Sequence, residues 1–366
     1  MKLGIDARML IGVWKNRGIG IYIQSLINPL KKNSYITILP RNQKVENINN
    51  ISKGISFFPI WEQFILPFLI NKKAFNYVLF PSITSPVFNK SHPKKIIIVY
   101  DLIFMMPFKE LPISHSLYNN FGRLYRRIIA PLTFKKSNYL VTISEFTKNE
   151  LSSKFNISPN KISVIPCSIT DDWYVDLPTP AISKEKYFIT VSGDSPSKNL
   201  ERVIESFSLF VNNSTCNNFK LKIVGVAAKS QPYFMKIAHK HQIENNIVFE
   251  KFLTKLELQM LYRNAWCSLT LSLQEGFGIP VVEAMASGTP VLCSNTSSLP
   301  EVAGQYAYFA NPKCIIDMSN MMIKIAKKSN IERDEIALQA LKSSYRYSES
   351  KVKVKIVDFW KELGLL

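Results

Sequence analysis

Glu275-Gly-Phe-Gly-Ile-Pro-Val-Val-Glu283-Ala-Met-Ala-Ser-Gly288-Thr-Pro290 is the stretch that decides the reading of this chain. An apolar run, residues 266–273, precedes it and reads as a buried strand. Pro280 brings a fixed φ suited to a first helical turn, and Gly288 is able to end that helix in the left-handed region. Glu275 is therefore expected on the loop at a strand's C-terminal end. Glu283, eight residues on, is expected on the short helix that follows. In open α/β sheets, ligands bind in the crevice at those strand ends. Two carboxylates held there can accept from hydroxyl groups at two points of an elongated ligand. One glutamate in such a place would be no more than a carboxylate drawn to a helix start by its dipole. The full string, with its glycines and prolines, points past that.

Outward from this stretch, strand-like runs at 187–191, 221–224, 247–249, 267–271 and 290–293 alternate with helix-like segments such as 199–211 and 255–264. The same scheme fills the N-terminal part, with strands at 3–5, 35–39, 77–80, 95–100 and 139–143 and helices at 20–30, 61–68 and 116–134. Ser144 is expected to cap a further helix with Thr147 and Lys148 in its first turn. Apolar strands alternating with helices imply parallel sheets covered on both faces. Residues 169–183, with Asp171, Asp172, Pro178 and Pro180, read as a linker between two domains, and residues 346–366 as a helical tail.

A chain of 366 residues suffices for two domains, each with its own core, and 46% apolar against 20% charged residues fits a globular protein. The five cysteines (Cys167, Cys216, Cys267, Cys293, Cys314) are scattered with no CxxC pair, which suits a reducing cytoplasm and argues against a disulfide framework or a zinc site. The start, Met1-Lys-Leu-Gly-Ile-Asp, reads as a strand rather than a signal peptide. No run of about 18 apolar residues occurs. The apolar segment 57–70 is interrupted by Pro59, Glu62 and Pro67.

The formal charge of +19 is uneven: residues 1–175 hold 23 Lys and Arg against 9 Asp and Glu, the remainder 23 against 18. An excess on one half implies an anionic partner for that half. No RNA- or DNA-binding motif accompanies it, so nucleic acid is set aside in favour of an anionic membrane surface. The strongest local feature is 118–136, where Arg123, Arg126, Arg127, Lys135 and Lys136 interleave with Leu124, Ile128, Ile129 and Leu132. A basic amphipathic helix of this kind suits a headgroup layer, and a core-facing helix with a solvated side is the alternative.

Three strings carry a family resemblance: Tyr262-Arg-Asn-Ala265, Ser272-Leu-Gln-Glu-Gly-Phe-Gly-Ile-Pro280 and Ser298-Leu-Pro-Glu-Val302. Together they resemble the donor-site signature of retaining, nucleotide-sugar-dependent glycosyltransferases of the family 4 type (glycosyltransferases group 1). The resemblance implies the GT-B fold: two facing Rossmann-like, doubly wound domains, an interdomain cleft and a C-terminal crossover helix. It implies an acceptor-binding domain at 1–168 with the tail 346–366 packed back on it, the linker 169–183, and a donor-binding domain at 184–345. By resemblance Glu275 meets hydroxyls of the transferred sugar and Glu283 the ribose hydroxyls, and Gly276, Phe277 and Gly278 between them also belong to the donor-binding residues. Ser192-Gly-Asp-Ser-Pro-Ser-Lys198-Asn199 resembles the family's loop ending in Arg-Lys-Asn, which makes Lys198 the cation for the leaving diphosphate. Arg17-Gly18-Ile-Gly20 resembles the Gly-Ile-Gly element that reaches the donor from the first domain.

Two departures stand out: Ser197 replaces the arginine usual before the lysine, and Tyr100-Asp101 replaces His-Asp after the strand at 95–100. Tyr100, with an ordinary pKa of about 10, is a poor base near neutrality but can donate a hydrogen bond. Asp101 lies near the cleft by resemblance, with a capping or turn role as the alternative. The resemblance implies no bound metal and no cofactor. It also implies reaction at one face of the sugar, where the departing phosphate oxygen helps to remove the acceptor proton and no protein nucleophile is required.

The resemblance thus implies a hexose transferase, with GDP-mannose as first donor. UDP-glucose, UDP-N-acetylhexosamine, GDP-fucose and dTDP-rhamnose stay open. The acceptor is a glycan on a polyprenyl diphosphate, and the place is the cytoplasmic face of the plasma membrane, peripherally bound, in surface-polysaccharide synthesis such as O-antigen. A degenerate, non-catalytic transferase subunit is the alternative of another class.

Overall fold

In the first half of the chain, runs such as Ile96-Ile-Ile-Val99 are apolar on both sides, so both faces of the strand must be covered, as in a parallel sheet. The computed structural model, which describes residues 2–15, 18–88, 93–113, 117–174, 186–213, 216–251 and 253–366, bears this out. Seven parallel strands, β1 (Leu3–Asp6), β2 (Tyr35–Leu39), β3 (Asn50–Ser52), β4 (Tyr77–Phe80), β5 (Lys94–Val99), β6 (Tyr139–Thr142) and β7 (Ile162–Val164), lie in the order β3-β2-β1-β4-β5-β6-β7. Leu3 pairs with Tyr35 on one side and Tyr77 on the other. The chain reverses its direction of travel across the sheet between β1 and β4.

The second sheet holds six parallel strands, β8 (Tyr187–Val191), β9 (Lys220–Val224), β10 (Ile247–Phe249), β11 (Cys267–Thr270), β12 (Val291–Ser294) and β13 (Tyr308–Ala310). Their order is β10-β9-β8-β11-β12-β13, with Cys267 opposite Phe188. Here the reversal falls between β8 and β11. The expected scheme missed β3, β7 and β13, each only three residues long and at or near a sheet edge.

Each sheet has its own core. Trp61, Leu66, Ile70, Phe80, Ile97 and Phe134 are central to the first. In the second, Phe188 meets Phe210 and Phe219 at ring centroids 5.1 and 5.3 Å apart. Contacts divide the chain into two compact units: residues 1–107, 113–167 and 350–366, and residues 108–112 and 168–349. The C-terminal helix Glu349–Glu362 ends in the first unit, where Trp360 Nε1 donates to Leu26 O at 2.7 Å. Ser144 caps the helix Glu145–Phe155 by accepting from Thr147 N–H. Residues 169–174, within the stretch expected as a linker, pack into the second unit: Ile169 N–H donates to Tyr347 O and Trp173 is buried against Tyr262. The rest of that stretch, 175–183, lies outside the described residues.

In the first unit, Glu62, one of the residues that interrupt the apolar segment 57–70, is fully buried. Its carboxylate accepts from Thr84 Oγ1 and Tyr125 Oη, both at 2.9 Å, and from Arg8 Nη2 at 3.3 Å. Arg8 also forks onto the buried Asp6, Nε to Oδ1 at 2.9 Å and Nη2 to Oδ2 at 2.5 Å. Burial drives the Glu62 carboxyl above the usual carboxylate range, against the pull of Arg8. This network sits at the ends of β1 and β4, the reversal point of the first sheet.

Candidate active site

Loops leaving β8 and β11 diverge because the chain turns opposite ways from those two strands, and the crevice between them is the place for a ligand. Lys198 comes from the first loop and Glu275 from the second. A short turn, Pro196–Lys198, closes with Lys198 N–H on Ser195 O at 2.9 Å. Asn199 then takes a positive φ of 61°, and its side-chain amide donates to Leu271 O at 3.0 Å and Pro312 O at 2.7 Å. Leu273 N–H donates back to Ser197 O at 2.8 Å. The loop carrying Lys198 is thereby stitched to the end of β11. Ser197, where the resemblance led one to expect arginine, is buried, and its hydroxyl bonds Ser195 Oγ.

Glu275 Oε1 accepts from Lys198 Nζ and from Ser272 Oγ, both at 2.7 Å. Its other carboxylate oxygen has no partner among the described residues. The backbone of the turn is fixed from behind: Glu275 N–H donates to Ser297 Oγ, and Ser298 Oγ lies 3.0 Å from both Glu275 O and Phe277 O. Lys198 and Glu275 remain 30% and 13% exposed, so an incoming ligand can reach a cation and a half-satisfied carboxylate side by side.

Gly276 and Phe277 are buried, Phe277 edge-on to Tyr347 at 5.1 Å. Gly278 has φ +107°, and a Cβ there would fall 2.6 Å from Leu299 Cδ2, so both backbone and space demand glycine. The helix Ile279–Ala286 follows with Pro280 in its first turn, and Gly288 closes it at φ +67°. Val281 and Val282 N–H turn back on Gly278 O, and proline has none. Of the first four positions, only Ile279 keeps an N–H without an acceptor among the described residues.

Glu283 lies one turn further, half-buried, with Oε2 3.5 Å from the hydroxyl of the fully buried Tyr262. Burial pushes its carboxyl up to about 7, while Tyr262 and the nearby Lys255 pull the other way. Lys255 is itself paired with Asp172. Sequence reading gave Ser272, Tyr262 and Asn199 no role of their own, although each stands in a string that was singled out; their partners lie across the fold, beyond the reach of spacing.

The remaining candidates belong to the first unit. Gly18 begins the helix Gly18–Ile27, and a Cβ on Gly20 would sit 2.2 Å from Trp14 O, a close backbone approach that only glycine permits. Arg17 lies outside the described residues. Tyr100 is buried edge-on to Tyr22 at 5.7 Å, and its hydroxyl is enclosed with no hydrogen-bond partner among the described residues. Burial drives that hydroxyl well above its ordinary pKa, which weakens any role as a base. Asp101 accepts from Ile103 N–H at 2.9 Å, capping the short turn Ile103–Met105, and its charge also faces Arg126. Among the described residues, no three His, Cys, Asp or Glu side chains group as a metal site, and no helix is long and apolar enough to cross a membrane.

Residues 178–342 match the family model of glycosyl transferases group 1. This part of the chain is a glycosyltransferase group 1 domain. The group 1 domain thus includes the Lys198–Glu275 pair and Glu283. The chain is 27% identical over 190 residues to the O-antigen chain mannosyltransferase RfbU of Salmonella typhimurium, covering 52% of this chain and 51% of that one. It is 23% identical over 232 residues to the O-antigen chain mannosyltransferase B of Escherichia coli, covering 61% and 60%. These matches therefore span little more than half the length of either relative. Among solved structures, WaaG, a glycosyltransferase involved in lipopolysaccharide biosynthesis, superposes with a TM-score of 0.71 at 13% identity, covering 98% of this chain and 99% of that one. Anabaena HepE, solved in complex with UDP and glucose, gives 0.71 at 14%, covering 99% of both. The two doubly wound sheets, with the group 1 domain in the second, make the fold GT-B.

Proposed function

We propose that the protein is a retaining, metal-independent glycosyltransferase. It moves a hexose, mannose from GDP-mannose before the other candidates, to a hydroxyl of a polyprenyl-diphosphate-linked glycan. It works at the inner face of the plasma membrane, in surface-polysaccharide synthesis. The observation that carries the reading is the Lys198–Glu275 pair at 2.7 Å, at the reversal point of the second sheet, with Glu283 on the next helix.

Each group then has a task. Glu283 accepts from the ribose hydroxyls, and the unpartnered oxygen of Glu275 accepts from the sugar. As the anomeric C–O bond breaks, its electron pair passes to the diphosphate, where Lys198 and the Ile279 N–H meet the growing charge. The acceptor oxygen bonds to the anomeric carbon from the same face, and its proton goes to the departing phosphate oxygen. Specificity for mannose is supported by the names of the relatives, and a lipid-bound acceptor by the positive excess of residues 1–175.

The test is transfer of radiolabelled mannose from GDP-mannose to a polyprenyl-diphosphate-linked glycan extracted with organic solvent. Label should pass to the lipid fraction, and an α-linked product from the α-linked donor establishes retention. An inverted product, or transfer from UDP-glucose alone, would overturn that part of the reading.

A pH dependence follows from Glu283. Its carboxyl is raised to about 7, so it is ionised above that pH and protonated below it. A protonated carboxyl loses the charge that strengthens both ribose contacts. GDP-mannose carries no phosphate that titrates near neutrality, so its affinity should fall by up to about tenfold per unit as the pH drops below 7. Glu283→Gln should bind more weakly throughout and show a flat profile over the same range by calorimetry.

The enclosed hydroxyl of Tyr100, without a hydrogen-bond partner among the described residues, favours a second reading, a transferase decayed into a non-catalytic subunit. Tyr100→His decides: a large gain in rate supports decay, and a loss supports an enzyme specialised around tyrosine.

A further inference from the structure

Among the described residues, most of the exposed large apolar side chains lie between Ile55 and Leu132. Eight of them form two ordered rows. Along the helical segment from Phe58 to Lys73, Phe57, Ile60, Phe64 and Phe68 stand outward, Phe64 and Phe68 with 73% and 58% of their surface in solvent. A π-helical turn, Trp61–Ile65, in which Leu66 N–H reaches back to Trp61 O, lets the adjacent Trp61 and Glu62 both face inward. With Glu62 turned inward, the outer row from Phe57 to Phe68 is apolar. Along the helix Leu117–Lys135, Phe121, Leu124, Ile128 and Leu132 form the second row at helical spacing.

The rows are neighbours. The Phe57 and Phe121 rings stack at 6.4 Å, Phe58 meets Tyr125 at 5.2 Å, and Gln63 bonds the Tyr125 hydroxyl. Both helices feed parallel strands of one sheet, β4 and β6, so both run the same way and end on the same side. Each row continues at that end into a lysine, Lys72 four residues after Phe68 and Lys135 three after Leu132, both exposed. Residues 117–136 contain no acid at all, and the single acid of 51–88 is the buried Glu62. An apolar face this large on a soluble unit marks a docking surface. Its basic margin without acidic side chains matches an anionic lipid layer, into which phenylalanines insert while lysines reach the headgroups.

We propose that this two-row face inserts into the headgroup region of an anionic bilayer, with Phe64 and Phe68 as the inserted side chains. It rests on the reading above that the acceptor is lipid-linked, and it adds the segment 57–73 to the basic helix as the part that enters the membrane.

Flotation of the purified protein with vesicles tests it, using phosphatidylcholine alone and phosphatidylcholine mixed with phosphatidylglycerol. The wild type should float with the mixed vesicles and not with the neutral ones. Phe64→Ser/Phe68→Ser should lower the bound fraction by about tenfold or more, and Lys72→Ser/Lys135→Ser should lower it chiefly at low salt. All four side chains are exposed, and an unchanged thermal unfolding curve by circular dichroism verifies that the variants keep the fold of the first unit. Equal flotation of the Phe64→Ser/Phe68→Ser protein, or none by the wild type, overturns the proposal. A wild type that is dimeric by light scattering and becomes monomeric in that variant overturns it too, since the face then belongs to a second copy. In each of these outcomes intact GDP-mannose binding and transfer to a water-soluble glycan would leave the transferase reading standing.

Discussion

Lys198→Met is expected to lower the rate of sugar transfer by about two to three orders of magnitude, the usual cost of removing one preorganised stabiliser of transition-state charge. The lysine is aimed by its neighbours and not by its own flexibility. Its backbone closes a short turn, Asn199 anchors that turn to Leu271 and Pro312, and its ammonium rests on Glu275 Oε1. Methionine keeps the length and removes the charge. Because diphosphate charge grows as the anomeric bond breaks, the loss should fall on kcat more than on KM for the donor. Steady-state kinetics with saturating acceptor measures this. An unchanged kcat with a raised KM would mean that the lysine only holds the donor. Lys198→Arg should recover part of the rate, since the charge returns in a different shape.

Arg8→Met should destabilise the first unit by about 3–5 kcal/mol, the cost of stranding a buried charge without its partner. Two carboxylates, Asp6 and Glu62, lie fully buried around this guanidinium, and neither can turn to solvent. The sign of the pH dependence follows from Glu62. Its carboxyl already sits above the ordinary range, and without Arg8 it rises further. A raised carboxyl binds a proton in the folded state that the unfolded state has released, so the variant loses stability as the pH rises. Its deficit against the wild type should be widest above neutrality and narrow in acid. Denaturant unfolding at several pH values checks both size and direction. A deficit that is flat with pH would show that lost packing on Phe58, 4.5 Å from the guanidinium, dominates instead.

Much of this was legible from residue order alone. Helix starts and stops around Glu275 followed from Pro280 and Gly288, because a proline ring and a positive φ are local constraints that no tertiary contact has to supply. The parallel sheets followed from apolar strands alternating with helices. Edge strand β3 was not legible, since Asn50-Ile-Ser52 offers a single apolar residue between two polar ones. The burial of Glu62 was not legible either, because Arg8, Thr84 and Tyr125, the partners that make it tolerable, are distant in sequence. Tyr100 shows the same limit: a tyrosine at a strand end can point to a ligand or into the core, and packing against Tyr22 decides. Around the carboxylate pair, the residues with ligand-type chemistry stood out, and those that hold them did not. Ser272 and Asn199 act through backbone and carboxylate contacts that close only once β8 and β11 lie side by side.

Calorimetric titration of GDP, UDP and dTDP into the wild type and Glu283→Ala tests the central claim most directly. The account predicts saturable binding of one of the three, GDP, with loss of most of that affinity in the variant. No binding of any nucleotide, or equal binding with and without the Glu283 carboxylate, would contradict it.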